Sequence, residues 1–160
     1  MSTKQKFGLI FAIVAVIASG VWLALTWTQP NAAFAAPEAD TAAQWGEPLV
    51  VEDLGYSQIY QEGMPYSAHI CGVFAPEDGK AKVYFTNDTS NADILMKLEV
   101  YDGDDTLVGE TGTIRPGQYL QEVQMERDMK AGEPVVLKIV AYEDETYHSA
   151  GSVSLHTSVS

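Results

Sequence analysis

Three carboxylates crowd one glycine in the stretch EVYDGDDTLVGETG, where Asp102, Asp104 and Asp105 surround Gly103. Oxygen ligands at this density suit a hard cation such as calcium, with Glu99 or Glu110 close enough in sequence to add another. A helix–loop–helix calcium loop needs acids at alternate positions, a glycine at the sixth and a glutamate at the twelfth. Here the glycine follows the first acid directly, and the flanking residues alternate as strands do. The stretch therefore reads first as a hairpin tip, with weak divalent-cation binding at Asp102, Asp104 and Asp105 as the chemistry it allows.

A second acidic loop, AYEDETYH, sets Glu143, Asp144 and Glu145 between Tyr142 and Tyr147. Aromatic and acidic side chains on one loop can grip a basic partner or a sugar. The segment DLGYSQIYQEGMPYSAHI carries Tyr56, Tyr60 and Tyr66 without a clear period. It reads as packing on a domain or as an exposed strip that a partner covers, with Tyr60 and Tyr66 as the contacts.

Other candidates are thinner. His69 and Cys71, two apart, would share one face of a strand, but zinc needs further ligands, and His148 and His156 lie far away in sequence. Cys71 is the single cysteine, so no disulfide can form within the chain; it reads as a small buried apolar residue. Asn87-Asp88-Thr89 fits a glycosylation acceptor. No nucleophile elbow, phosphate loop, dinucleotide fingerprint or zinc-protease motif occurs, so the sequence implies no catalytic residues and no cofactor.

These loops need strands to hold them. In ILMKLEVY, Ile94, Met96, Leu98 and Val100 share one face; in PVVLKIVAYE, Val135, Leu137, Ile139 and Ala141 do the same. GSVSLHTSV alternates most cleanly, with Val153, Leu155, Thr157 and Val159 against serines and His156. KAKVYFTN, TLVGE, QYLQEVQM, LVVED and AHICGVF bring the total to about eight short strands. The turn signals APEDGK, TNDTSNAD, DGDD, RPGQ, KAGEP and EDETYHSAG separate them. Regular turns of this kind predict an all-β antiparallel sandwich over residues 49–160.

The first part of the chain follows another logic. Residues 1–6 carry two lysines, and residues 7–27 contain no charge. As a helix, that run would reach about 32 Å, enough for a bilayer core. Trp22 and Trp27 near its outer end and the lysines at its start orient it with the C-terminal domain outside. Its length favours a single-pass anchor; the alternative is a secretory signal cut after Ala35, in Ala33-Phe34-Ala35. Residues 28–48, rich in alanine and proline, read as a tether. Beyond Pro37 stand 7 basic and 22 acidic residues, or 7 − 22 = −15. Such a surface repels phosphate backbones and excludes nucleic acid as a partner.

Residues 94–159 resemble small immunoglobulin-like domains of the cell-adhesion-related type, carried on membrane-anchored surface proteins of bacteria. The likeness rests on LEVYDGDDTLVGETGTIRPGQYLQEVQM, KAGEPVVLKIVAYEDET and the last strand GSVSLHTSV. It implies an immunoglobulin-like sandwich outside the membrane and no catalytic residues. The expectation is a noncatalytic anchored protein that presents an acidic domain to a protein or the cell envelope, through DGDD and YEDETYH. The alternatives are a structural subunit of a surface, secretion or conjugation apparatus, joined through an edge strand or the apolar helix, and, least supported, an extracytoplasmic enzyme.

Overall fold

In the computed structural model, residues 34–50, 53–59 and 63–160 are described. The expected anchor at 7–27, the lysines before it, the first residues of the tether and Tyr60 lie outside them. Among the described residues there is no helix. The described residues form ten strands: β1 (Gln44–Trp45), β2 (Tyr56–Ile59), β3 (Ala68–Cys71), β4 (Pro76–Glu77), β5 (Lys80–Asn87), β6 (Ile94–Asp102), β7 (Leu107–Glu110), β8 (Gln118–Gln124), β9 (Pro134–Glu143) and β10 (Ser149–Ser158). The larger sheet runs β1-β8-β5-β3-β2, with β4 hairpinned onto β5; the smaller runs β10-β9-β6-β7. Strands pair antiparallel in both sheets, as the turn spacing predicts.

One core lies between them. The inward residues of β6 and β9 meet Ile70, Phe74, Phe85 and Leu120 from the other layer, all essentially sealed from water. Period-2 alternation puts these residues on one side of each strand, and burying that side is the main driving term. The turns follow their chemistry. In Arg115–Gln118, Pro116 presets φ and Gly117 takes φ +80°, closing a type II turn through Gln118 N–H to the Arg115 carbonyl at 3.0 Å. Asp78 and Gly79, both at positive φ, make the two-residue turn of the β4–β5 hairpin.

The tether expectation needs correcting. The part from Glu38 to Gly46 is bonded into the sandwich. Asp40 N–H donates to the Thr113 carbonyl at 2.9 Å, Thr113 N–H donates to the Glu38 carbonyl at 2.8 Å, and β1 pairs with β8. Asp40 Oδ2 accepts from Gly112 N–H at 2.9 Å. The approach is possible because residue 112 is glycine: a Cβ there would stand 2.5 Å from Asp40 N. Backbone bonds rather than an apolar stripe hold the segment, so hydrophobic periodicity carries no trace of it. Its effect is to cover one edge of the sandwich, where bare strand edges invite unwanted pairing.

Two asparagines brace the layers. Asn87, fully buried, donates through Nδ2 to the Ile94 carbonyl at 2.8 Å and to the Ile114 carbonyl at 3.1 Å. Its Oδ1 accepts from Asn91 Nδ2 at 2.8 Å, and Asn91 in turn bonds the backbone of Ser67. The Asn87 amide is therefore consumed inside the fold, and the apparent glycosylation acceptor has no nitrogen to offer a glycan.

Candidate functional site

The two acidic loops do not form one surface. Antiparallel pairing of β6 with β9 puts Asp102 opposite Val135 and Ile94 opposite Glu143. The DGDD and YEDETYH hairpins thus cap opposite ends of the sandwich, about 27 Å apart along a nine-residue strand. In the first, Asp102 is already engaged. Its Oδ1 accepts from Asp104 N–H and Thr106 N–H, each at 3.0 Å, and its Oδ2 meets Arg127 Nη2 at 2.9 Å. The Arg127 guanidinium, with these backbone donors, holds the Asp102 carboxyl below the usual carboxylate range. This carboxylate ties a turn to a neighbouring loop, while Asp104 and Asp105 point into solvent and Asp105 supplies the turn's φ of +57°. No three His, Cys, Asp or Glu side chains among the described residues gather as a metal-ligand set.

In the second hairpin, Tyr142, Glu143, Asp144, Glu145 and Tyr147 stay together at one end, and much of their polarity is spent internally. Asp144 Oδ2 pairs with Arg115 Nη1 at 2.7 Å, and its N–H donates to the Asp93 carbonyl at 2.9 Å. Tyr147 takes φ +56° to close the turn onto the Glu143 carbonyl. Of the two readings of the tyrosine-rich segment, Tyr66 follows packing and not partner contact. It is 5% exposed and part of the core, so it offers nothing to a partner. Burial raises its phenol pKa, and its Oη has no hydrogen-bond partner among the described residues.

The outward face of the smaller sheet is also self-satisfied. Lys97 Nζ reaches Glu110 Oε2 at 2.8 Å and Glu99 Oε1 at 3.2 Å, while Lys138 Nζ lies 3.4 Å from Glu99 Oε2 and over the Tyr101 ring. For Glu99, burial pushes the carboxyl up, but Tyr101 Oη–H and the two lysines outweigh it and the net shift is down.

The outward face of the larger sheet differs. Register aligns one residue from each of five strands across it: Gln58 beside His69, His69 beside Thr86, Thr86 beside Tyr119, Tyr119 beside Gln44. Above this row lies a cavity of about 300 Å³ lined by Glu47, Tyr56, His69, Thr86, Asp88 and Gly117, among others. Tyr56 stacks on His69 with ring centroids 5.6 Å apart. Its Oη lies 2.8 Å from Thr86 Oγ1, and Thr86 Oγ1–H donates to the Tyr84 carbonyl at 3.0 Å. With the Thr86 proton directed to the Tyr84 carbonyl, the phenol can donate to Thr86 Oγ1 and turn its lone pairs to the cavity.

Charge in the cavity is negative. Asp88 Oδ1 accepts from Ser90 N–H at 2.8 Å, which holds the carboxyl below its usual range, and Asp88 Oδ2 lies 4.0 Å from His69 Nδ1. Burial raises the Tyr56 phenol pKa, the hydrogen bond with Thr86 works against it, and the nearby Glu47 and Asp88 carboxylates add to the rise, so the net shift is up. At the rim, Trp45 is 70% exposed and its ring borders Gly117.

Sequence reading reached His69 and Cys71 as a pair on one strand face, and the structure puts them there. Cys71 is 1% exposed, however, so a thiol cannot meet a ligand in the cavity. Glu47, Thr86, Asp88 and Trp45 escaped notice, because they come from separate segments that only strand register brings together. Neither a protein-family model nor a curated protein sequence matches the chain, so its fold and its cavity chemistry stand on their own.

Proposed function

We propose that this chain is a noncatalytic, immunoglobulin-like binding domain, held outside the cytoplasmic membrane by its apolar N-terminal run and presented to a protein or cell-envelope partner. The supporting observation is the contrast between its two sheet faces. The charges of the smaller sheet's face are paired with one another, whereas the larger face leaves a stacked aromatic pair, an exposed tryptophan and two carboxylates around an open cavity. Exposed aromatics in a preformed hollow are the usual energetic centre of recognition surfaces. The contact region thus moves from the DGDD tip, where Asp102 is committed, to this face and the Tyr142–Tyr147 hairpin at the same end.

The test is topology in cells. Protease added to intact cells should remove a C-terminal epitope from full-length protein that fractionates with membranes. Protection of the epitope, or recovery in the cytosolic fraction, refutes the surface reading.

One observation favours an assembly subunit as the second reading. β10 forms an outer edge of the smaller sheet, and residues 149–160 contain no Asp, Glu, Lys or Arg. An uncharged ten-residue edge is a template for strand addition. Sedimentation of the full chain in detergent would separate the two readings, since strand addition between copies gives dimers that Ser154→Lys abolishes.

A further inference from the structure

We propose that the cavity on the larger sheet binds the guanidinium of an arginine side chain presented by a partner protein. This identification rests on the binding-domain reading above and specifies what the domain recognises.

Three features select this chemistry. First, acceptors outnumber cations around the cavity: the Tyr56 oxygen, hydrogen-bonded to Thr86, and the Glu47 and Asp88 carboxylates stand beside His69 and the Thr89 hydroxyl. A ligand rich in N–H donors satisfies them, while an anion is repelled and a hydroxyl ligand leaves its own lone pairs unmet. Second, among the described residues no lysine or arginine lines the cavity, and the charged partner beside its carboxylates is His69 next to Asp88, whose other oxygen accepts from Ser90 N–H. Elsewhere the chain pairs acids with its few cations, as at Lys97, Arg115 and Arg127. Third, the aromatic pair and Trp45 offer faces. Guanidinium is planar and weakly hydrated; it stacks on an aromatic ring while its edge donates to carboxylate, whereas an ammonium is compact and strongly hydrated. A volume of about 300 Å³ accepts one such side chain but not a folded segment. The net charge of −13 draws a cationic partner toward the domain and steers its approach.

The test is nuclear magnetic resonance titration of the ¹⁵N-labelled full chain in zwitterionic detergent. The probe is N-acetyl-arginine amide, compared with the lysine and citrulline analogues. Citrulline keeps the shape of arginine and lacks the charge. The expected result is amide shifts confined to Gly46, Glu47, His69, Thr86, Asp88 and Gly117, with a dissociation constant on the order of 1 mM. Lysine and citrulline should bind about tenfold more weakly or worse. Glu47→Gln, at an exposed position, should keep the dispersed spectrum and weaken arginine binding at least about threefold. Equal shifts with citrulline or lysine, shifts spread over the whole acidic surface, or no effect of Glu47→Gln overturns the assignment. Because protease accessibility is read independently, a silent titration with a surface-exposed domain removes only the arginine site. A positive titration with a cytosolic chain removes only the surface reading.

Discussion

Replacing Asn87 with alanine removes the brace between the layers. The side chain makes three buried hydrogen bonds: two from Nδ2 to the Ile94 and Ile114 carbonyls and one at Oδ1 from Asn91. At about 1 kcal/mol net for each, the loss is about 3 kcal/mol. The Ile114 carbonyl keeps its bond from Met96 N–H and Asn91 keeps its bonds to Ser67, which holds the penalty near that figure. For a domain of this size, the midpoint of thermal unfolding should fall by about 10 °C. Urea unfolding followed by far-ultraviolet circular dichroism measures it directly. Asn87→Asp sharpens the case. The aspartate is nearly isosteric but turns a carboxylate oxygen toward carbonyl oxygens, which raises its folded pKa above the unfolded value. Such a group resists ionisation, so the loss grows as pH rises through that range and is smallest where the acid stays protonated. A loss below about 1 kcal/mol for Asn87→Ala, or an Asn87→Asp penalty independent of pH, would refute the idea that this amide joins the sheets.

Gly112→Ala should push Asp40 off the sheet edge, speeding hydrogen exchange at Asp40 and Gly46 and lowering stability by about 2 kcal/mol while β6 and β9 stay protected. Tyr66→Phe removes a buried hydroxyl that lacks a partner among the described residues; denaturation should show a gain of about 1 kcal/mol, and a loss would mean the oxygen is engaged. The depressed Asp102 carboxyl contributes stability that is present above its unfolded pKa near 3.9 and disappears as pH falls through the lower folded value. Asp102→Asn should therefore lower stability at neutral pH and flatten the acid limb of a stability–pH curve; an unchanged limb would show that Arg127 does not hold it.

Most of the β architecture is legible from local pattern. Alternation in β6, β9 and β10 names the inward residues correctly, because a strand has a side-chain period of two and one wet face. Arg115–Gln118 shows its type II turn in the Pro-Gly pair. Three things stay hidden. Edge segments held by backbone bonds, such as Glu38–Gly46, carry no hydrophobic period. The pattern around Tyr66 leaves packing and partner contact both open, because aromatic content does not distinguish a core ring from an exposed one. The acidic loops attract attention through composition, yet composition does not show which carboxylates already have a partner.

By itself, then, the amino-acid order determines the central strands, their buried sides, the turns between them and the acidic balance, since each depends on neighbours within a few residues. The strand expected at LVVED, by contrast, does not form at its described residues Leu49, Val50 and Asp53, and β1 lies in the expected tether. Tertiary structure alone decided that DGDD and YEDETYH face opposite ways and that Glu47, Tyr56, His69, Thr86 and Asp88 share one hollow. The reason is register. Sliding one strand past another by a single residue turns every side chain to the opposite face, and no local signal records which alignment the packed core selects.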